Sequence, residues 1–145
     1  MKENRIRSIA ICLFRNGDRI LALEGFDSVK QSHFYRPLGG GIEFGEHSRD
    51  AIAREIKEEL NADIRDARLL GAIENIFTNE GRPKHEIVFV YDAKFTDETF
   101  YERETLIGYE EGDDFFTAKW IPLEEIRRNS VWLVPEELIE LINAM

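Results

Sequence analysis

The chain has 145 residues, 43% of them apolar, and its 29 acidic and 19 basic residues give a formal net charge of -10. Such a length and apolar content suit one packed domain over residues 1–145 that needs neither disulfides nor a structural metal. The negative charge argues against a nucleic-acid backbone or an anionic membrane as main partner, but not against a phosphorylated small molecule, because bound divalent cations invert a local field.

In chain order, "RSIAICLFRNGDRILALE" has two apolar runs around Asn16-Gly17, a pair that favours a tight turn, and predicts an antiparallel hairpin. Cys12, the only cysteine, lies in the first run and reads as a buried core thiol. No stretch reaches the roughly 20 apolar residues of a membrane helix, and the N-terminus lacks a signal-peptide pattern, so a soluble protein of the reducing cytoplasm is expected. "HFYRPL" predicts a short strand ending at Pro37, and a run of three glycines, Gly39 to Gly41, follows. Ser48 to Leu60 predicts a helix, with Ser48 as N-cap and Asn61 as the left-handed residue that ends it.

Downstream, "ARLLGAIENIF" and "HEIVFVYDAKF" predict two long strands, the second central and buried on both faces. Thr96 to Asp114 reads as a turn-rich acidic segment. "FFTAKWI" predicts a last strand, and "PLEEIRR" and "PEELIELINAM" predict closing helices, each with proline in its first turn. Strands, one helix, more strands and closing helices together suggest a layered α/β or α+β fold.

The helix at 48–60 carries the most information. Taking Ala51 as zero and about 100° per residue, Glu55 falls at about 40°, Glu58 at about 340° and Glu59 at about 80°. Ile52, Ile56 and Leu60 occupy an adjoining arc, so the helix has one acidic and one apolar face. Like charges three or four residues apart repel by a few tenths of a kcal/mol per pair, which a solvated surface would not require. Hard divalent cations take oxygen ligands from carboxylates, backbone carbonyls and phosphates, and the glycine run can bring backbone close to such a ligand. The residues therefore point to a cation site that receives a phosphate.

The segment Gly40 to Ala62 resembles the Nudix box. Gly40 is followed after five residues by Glu46, and seven residues later by Arg54-Glu55-Ile56-Lys57-Glu58-Glu59-Leu60. It departs from the box at Asn61, where a glycine is usual, at Ala62, where a larger apolar residue is usual, and at Leu38, where many relatives have proline. The resemblance implies an α/β/α sandwich with a mixed, largely antiparallel sheet. It also implies hydrolysis of a pyrophosphate bond in a nucleoside diphosphate linked to another group, with Mg2+ as cofactor and Mn2+ as substitute.

Carried over by position, Glu58 and Glu59 become the main metal ligands, Glu55 a further ligand or the base, and the Gly39 carbonyl completes the shell. Arg54 holds a carboxylate by paired hydrogen bonds, and Glu46 supports that network or helps bind metal. A loop glutamate, Glu110 or Glu111 before Glu102 or Glu104, is expected to assist. Phe26, Phe34 or Tyr35 is a candidate to stack on a base, and Arg36 or Arg82 to meet phosphates. Trp120 and Trp132 read as core. The expected partner is a small nucleoside diphosphate derivative, with a homodimer left open. The alternative is a non-catalytic Nudix-fold nucleotide-binding sensor. An isomerase of the same fold would need a catalytic cysteine, and Cys12 sits in an apolar strand. Thr78, Asn79 and Glu80, where some subfamilies carry a diagnostic proline or tyrosine, leave the substrate open.

Overall fold

A computed structural model describes residues 4–110 and 114–145 of the chain. Among the described residues nine strands form two sheets. In the first, β5 (Leu38–Gly41), β1 (Ile6–Cys12), β7 (Arg82–Phe95) and β6 (Ile64–Asn79) lie in that order. In the second, β2 (Arg15–Asn16), β3 (Arg19–Asp27), β9 (Phe115–Pro122) and β8 (Thr105–Tyr109) lie in that order, with β4 (Ser32–Arg36) also paired to β3. Between these strands only β1 and β7 run parallel; the other pairs are antiparallel. The fold is thus mixed α/β and largely antiparallel, as expected, with its strands divided between two sheets.

The apolar runs explain the layering. In β1 and the residues after it, Ala10, Cys12 and Phe14 face one core while Ile9, Ile11 and Leu13 face the other. In β7, Tyr91, Ala93 and Phe95 join the first core, and Val88 and Val90 the second. Strands buried on both faces must be apolar throughout, which is why they read as unbroken runs. The expected central strand is therefore found. Helix α1 (Ser48–Leu60) covers the first core with Ala51, Ile52 and Ile56, and α2 (Leu123–Arg127) and α3 (Leu138–Asn143) cover the second.

Several local expectations change. The predicted hairpin shrinks to two pairs, Arg15↔Ile20 and Asn16↔Arg19, so Gly17 and Asp18 make the turn, with Gly17 at φ +63°. Beyond it the two runs separate, because β1 finds β5 and β7 in one sheet while β3 finds β4 and β9 in the other. The N-cap of α1 is His47, without a side-chain capping bond, and the Ser48 hydroxyl instead shares a 2.6 Å hydrogen bond with the Tyr91 hydroxyl. Asn61 does take the left-handed conformation, at φ 52°. The acidic segment holds a 3-10 turn (Glu98–Tyr101) and edge strand β8, whose buried Leu106 packs in the first core. Pro122 is the N-cap residue of α2, but α3 starts only at Leu138, past Pro135. None of the helices among the described residues is long and apolar enough to cross a membrane.

Candidate active site

The site is assembled on α1 against β5. Ile52 and Ile56, both fully buried, fix the roll of the helix and turn Arg54, Glu55 and Glu59 toward the glycine strand. The glycine run forms strand β5 on the edge of its sheet, paired with Ile9 to Cys12 of β1. Two of its glycines are required by close approach. Gly39 has φ +150°, and a Cβ there would lie 2.0 Å from the Ala10 carbonyl oxygen. A Cβ on Gly40 would lie 2.5 Å from the Glu55 carboxyl. The bare backbone at Gly40 is thus the space Glu55 occupies.

Arg54 is the centre of the polar network. Its Nε and Nη2 donate to the two oxygens of Glu46 at 2.8 and 2.9 Å, and Nη2 also donates to the Gly41 carbonyl at 2.9 Å. Nη1 donates to Glu55 at 3.0 Å and lies 3.4 Å from both oxygens of Glu58. The paired hydrogen bonds expected of Arg54 are therefore present, with Glu46 as partner. They hold the Glu46 carboxyl down to about 2, helped by the Glu43 amide, which donates to it at 3.1 Å. Glu43 itself stands 3.8 Å from Arg54. The sequence reading missed Glu43 and the Gly41 carbonyl, both of which lie between named box positions.

Glu59 departs most from the expectation of an exposed acidic face. At about 80° it borders the apolar arc, and in the structure it is only 6% exposed. Its Oε1 has no hydrogen-bond partner among the described residues. Burial first, then the charge of Glu55 and that of Glu110, push this carboxyl up to about 8, against the pull of Arg36 and the Gly39 amide. A carboxylate that is buried, crowded by like charge and short of a partner is stabilised by an added cation. The donor set around it, all hard oxygens, suits a divalent ion of the Mg2+ type. Among the described residues no three His, Cys, Asp or Glu side chains converge as a metal shell. The guanidinium of Arg54 lies instead among Glu46, Glu55 and Glu58.

Of the loop glutamates, Glu110 reaches the site, 3.4 Å from Arg36. Glu111 lies outside the described residues, and Glu102 and Glu104 are exposed on the turn before β8.

Beside the acidic helix opens a cleft of about 690 Å3, with Gly40 on its wall. Because Gly40 also touches Glu55, the cleft and the helix meet at the edge strand. Phe34 and Arg36, two residues apart on one face of β4, both line it. Opposite Phe34 stands Trp132, with ring centroids 6.5 Å apart and edge-on. Tyr35 alternates to the other face, where it packs on the second core under Lys119, so it does not line the cleft. Phe26 lies tilted against His33, with ring centroids 4.8 Å apart, away from the cleft, and Arg82 is exposed at the β6–β7 turn. Trp120 is core, as expected, stacked on Tyr101 at 5.6 Å. Trp132 is not: only half-buried, it is held by a hydrogen bond from its Nε1 to Glu136 at 3.2 Å and presents its ring to the cleft. Nothing in "NSVWLVP" marks it, because its neighbour Leu133 enters the core beside Tyr35.

The fold, the acidic helix and the glycine edge together define the class. A family model described as NUDIX domain matches residues 4–142, and the chain belongs to that family. Hydrolases of this family generally use divalent metal ions. Solved structures share the fold. A MutT NUDIX hydrolase from Burkholderia pseudomallei is 22% identical at a TM-score of 0.61, with 83% of this chain and 86% of that one covered. A NUDIX hydrolase from Nitrosomonas europaea is 16% identical at 0.65, covering 96% and 87%. A UDP-X diphosphatase is 17% identical at 0.64, covering 97% of this chain and 63% of that one.

Proposed function

We propose that the protein hydrolyses a pyrophosphate bond in a nucleoside diphosphate linked to another group, with Mg2+ as the metal and Mn2+ able to replace it. The observation that carries this reading is the buried oxygen of Glu59, without a partner among the described residues, beside Glu55 at the point where the acidic helix meets the cleft. A similar fold in a UDP-X diphosphatase supports a nucleotide-linked substrate.

In this reading Glu58 and Glu59 hold the ion, with Glu55 and the Gly39 carbonyl beside them. A bound divalent ion neutralises phosphate oxygens and makes a bound water more acidic. Glu55, kept in place by Arg54 and by the bare backbone of Gly40, accepts the proton of the attacking water or joins the shell. Glu46, with both oxygens engaged by Arg54, serves as support. Arg36, lining the cleft near Glu110, meets a phosphate, and Phe34 and Trp132 flank the base. The reducing cytoplasm, where Cys12 stays a thiol, is its proposed place of work.

The test is a panel of nucleoside triphosphates, oxidised nucleotides, ADP-ribose, nucleotide sugars and dinucleoside polyphosphates, assayed for phosphate or nucleotide release with Mg2+ or Mn2+. Metal-dependent turnover of at least one compound is expected. Tight binding of one compound with turnover of none would establish the sensor alternative in its place.

A further inference from the structure

The cleft has a polar floor that the box does not describe. Arg7 on β1, Glu86 on β7 and Asn75 on β6 are direct cross-strand neighbours, Arg7 with Glu86 in parallel register and Asn75 with Glu86 in antiparallel register. All three line the cleft, on the same face as Ile9, Val88 and Ile73 of the second core. Where that core ends, a polar row begins, in the cleft that Phe34 and Trp132 also line.

The hydrogen-bonding capacity of this row is largely unused. The Glu86 side chain is only 15% exposed, yet its one ion pair among the described residues, to Arg7, is loose at 3.7 Å. Among the described residues neither Glu86 nor Asn75 makes a side-chain hydrogen bond. Burial raises the Glu86 carboxyl against the pull of Arg7, Arg36 and Lys84. A partly shielded carboxylate with no donor at hydrogen-bond distance keeps accepting capacity that a ligand can use.

We propose that Glu86, flanked by Asn75 and Arg7, is a specificity-determining residue that accepts two adjacent hydrogen-bond donors from the nucleoside part of the substrate. A carboxylate has two oxygens in one plane and only accepts, so its best partner is a planar or vicinal pair of N–H or O–H groups. Two parts of a nucleotide supply such a pair: the N1–H and exocyclic amine of guanine, and the cis-diol of ribose. Asn75 and Arg7 then offer donors to acceptors beside that pair. This inference rests on the nucleotide reading above.

Nucleoside monophosphates test it apart from catalysis, because they contain no pyrophosphate bond. GMP has both donor pairs, IMP only the diol, dGMP only the base pair and dIMP neither. Calorimetric titration of the wild-type protein should give a Kd for GMP at least tenfold below that for dIMP. Whichever of IMP and dGMP groups with dIMP identifies the missing pair as the one read. In Glu86→Gln the Kd for GMP should rise to within threefold of that for dIMP, with dIMP itself unchanged. Asn75→Ala should weaken GMP at least threefold, and it carries the test if Glu86→Gln proves unfolded by circular dichroism. Equal Kd values for all four ligands in the wild type, or equal losses for all four in the variants, would overturn the proposal. Discrimination among the monophosphates without hydrolysis of any compound in the panel would leave the row standing and overturn the hydrolase reading.

Discussion

Arg54 and Glu46 are joined by two near-parallel hydrogen bonds, at 2.8 and 2.9 Å, that tie the end of the glycine-to-helix loop to the second turn of the helix. The same guanidinium also reaches Gly41, Glu55 and Glu58, so one planar fork positions strand, loop and helix together. A lysine cannot reproduce that fork. Arg54→Lys should therefore cut kcat by at least about a hundredfold, comparable to losing the orientation of a reacting group, while circular dichroism stays native-like. Near-normal kcat in Arg54→Lys would show that charge alone suffices.

The two close-contact glycines should fail differently. Gly39→Ala sets a Cβ against the Ala10 backbone at a left-handed φ and should lower Tm by several degrees, whatever the substrate. Gly40→Ala meets the Glu55 carboxyl first, the end of a side chain that can swing away. It should melt near wild type and lose most of its kcat. Equal Tm losses in both variants would contradict this division.

Glu59 gives a pH prediction with a definite sign. Its carboxyl is raised from an ordinary value of 4.5 to about 8 in the folded chain. Between those values the native state binds more protons than the unfolded one, so this group's contribution to stability is complete below about 4.5 and is lost as pH rises through about 8. In EDTA, Glu59→Gln should show a flatter decline of Tm between pH 6 and pH 8 than the wild type (a range spanning about one pH unit either side of neutrality) and a higher Tm at the upper end. Added Mg2+ should raise the Tm of the wild type much more than that of the variant. Thermal melts across that range check both points, and an unchanged slope in Glu59→Gln would remove Glu59 as the titrating group.

The aromatic wall predicts a binding effect rather than a catalytic one. Stacking on an aromatic side chain contributes about 1–3 kcal/mol per base. Trp132→Ala should then raise KM by about tenfold to a hundredfold with kcat little changed, and Phe34→Leu should act in the same direction. A fall in kcat at constant KM would place Trp132 elsewhere in the reaction.

The acidic helix was legible because its information is local: charges and apolar residues at helical spacing, next to glycines, within one stretch of chain. Even there the period alone did not reveal that Glu59 is buried, since it lies only one position's breadth from the arc of Ile52 and Ile56, and the sheet beneath decides. The cleft was not legible. Arg7, Asn75 and Glu86 come from three strands and become a row only through register, and a polar residue at the end of an apolar run looks like an ordinary strand terminus. The early hairpin was over-read for the opposite reason: a good turn pair says that the chain reverses, not how long the two arms stay together.

That early separation of β1 from β3 also has a temporal side. Ile6 pairs with His85 and Ile9 with Gly41, so the first strand has no lasting partner among the residues next to it and waits for chain made much later. Pairings of such long sequence separation slow folding, since the connecting loop must close before contacts reward it. During synthesis the run "SIAICLF", apolar on both sides, is then the segment most in need of protection until β7 emerges to cover it.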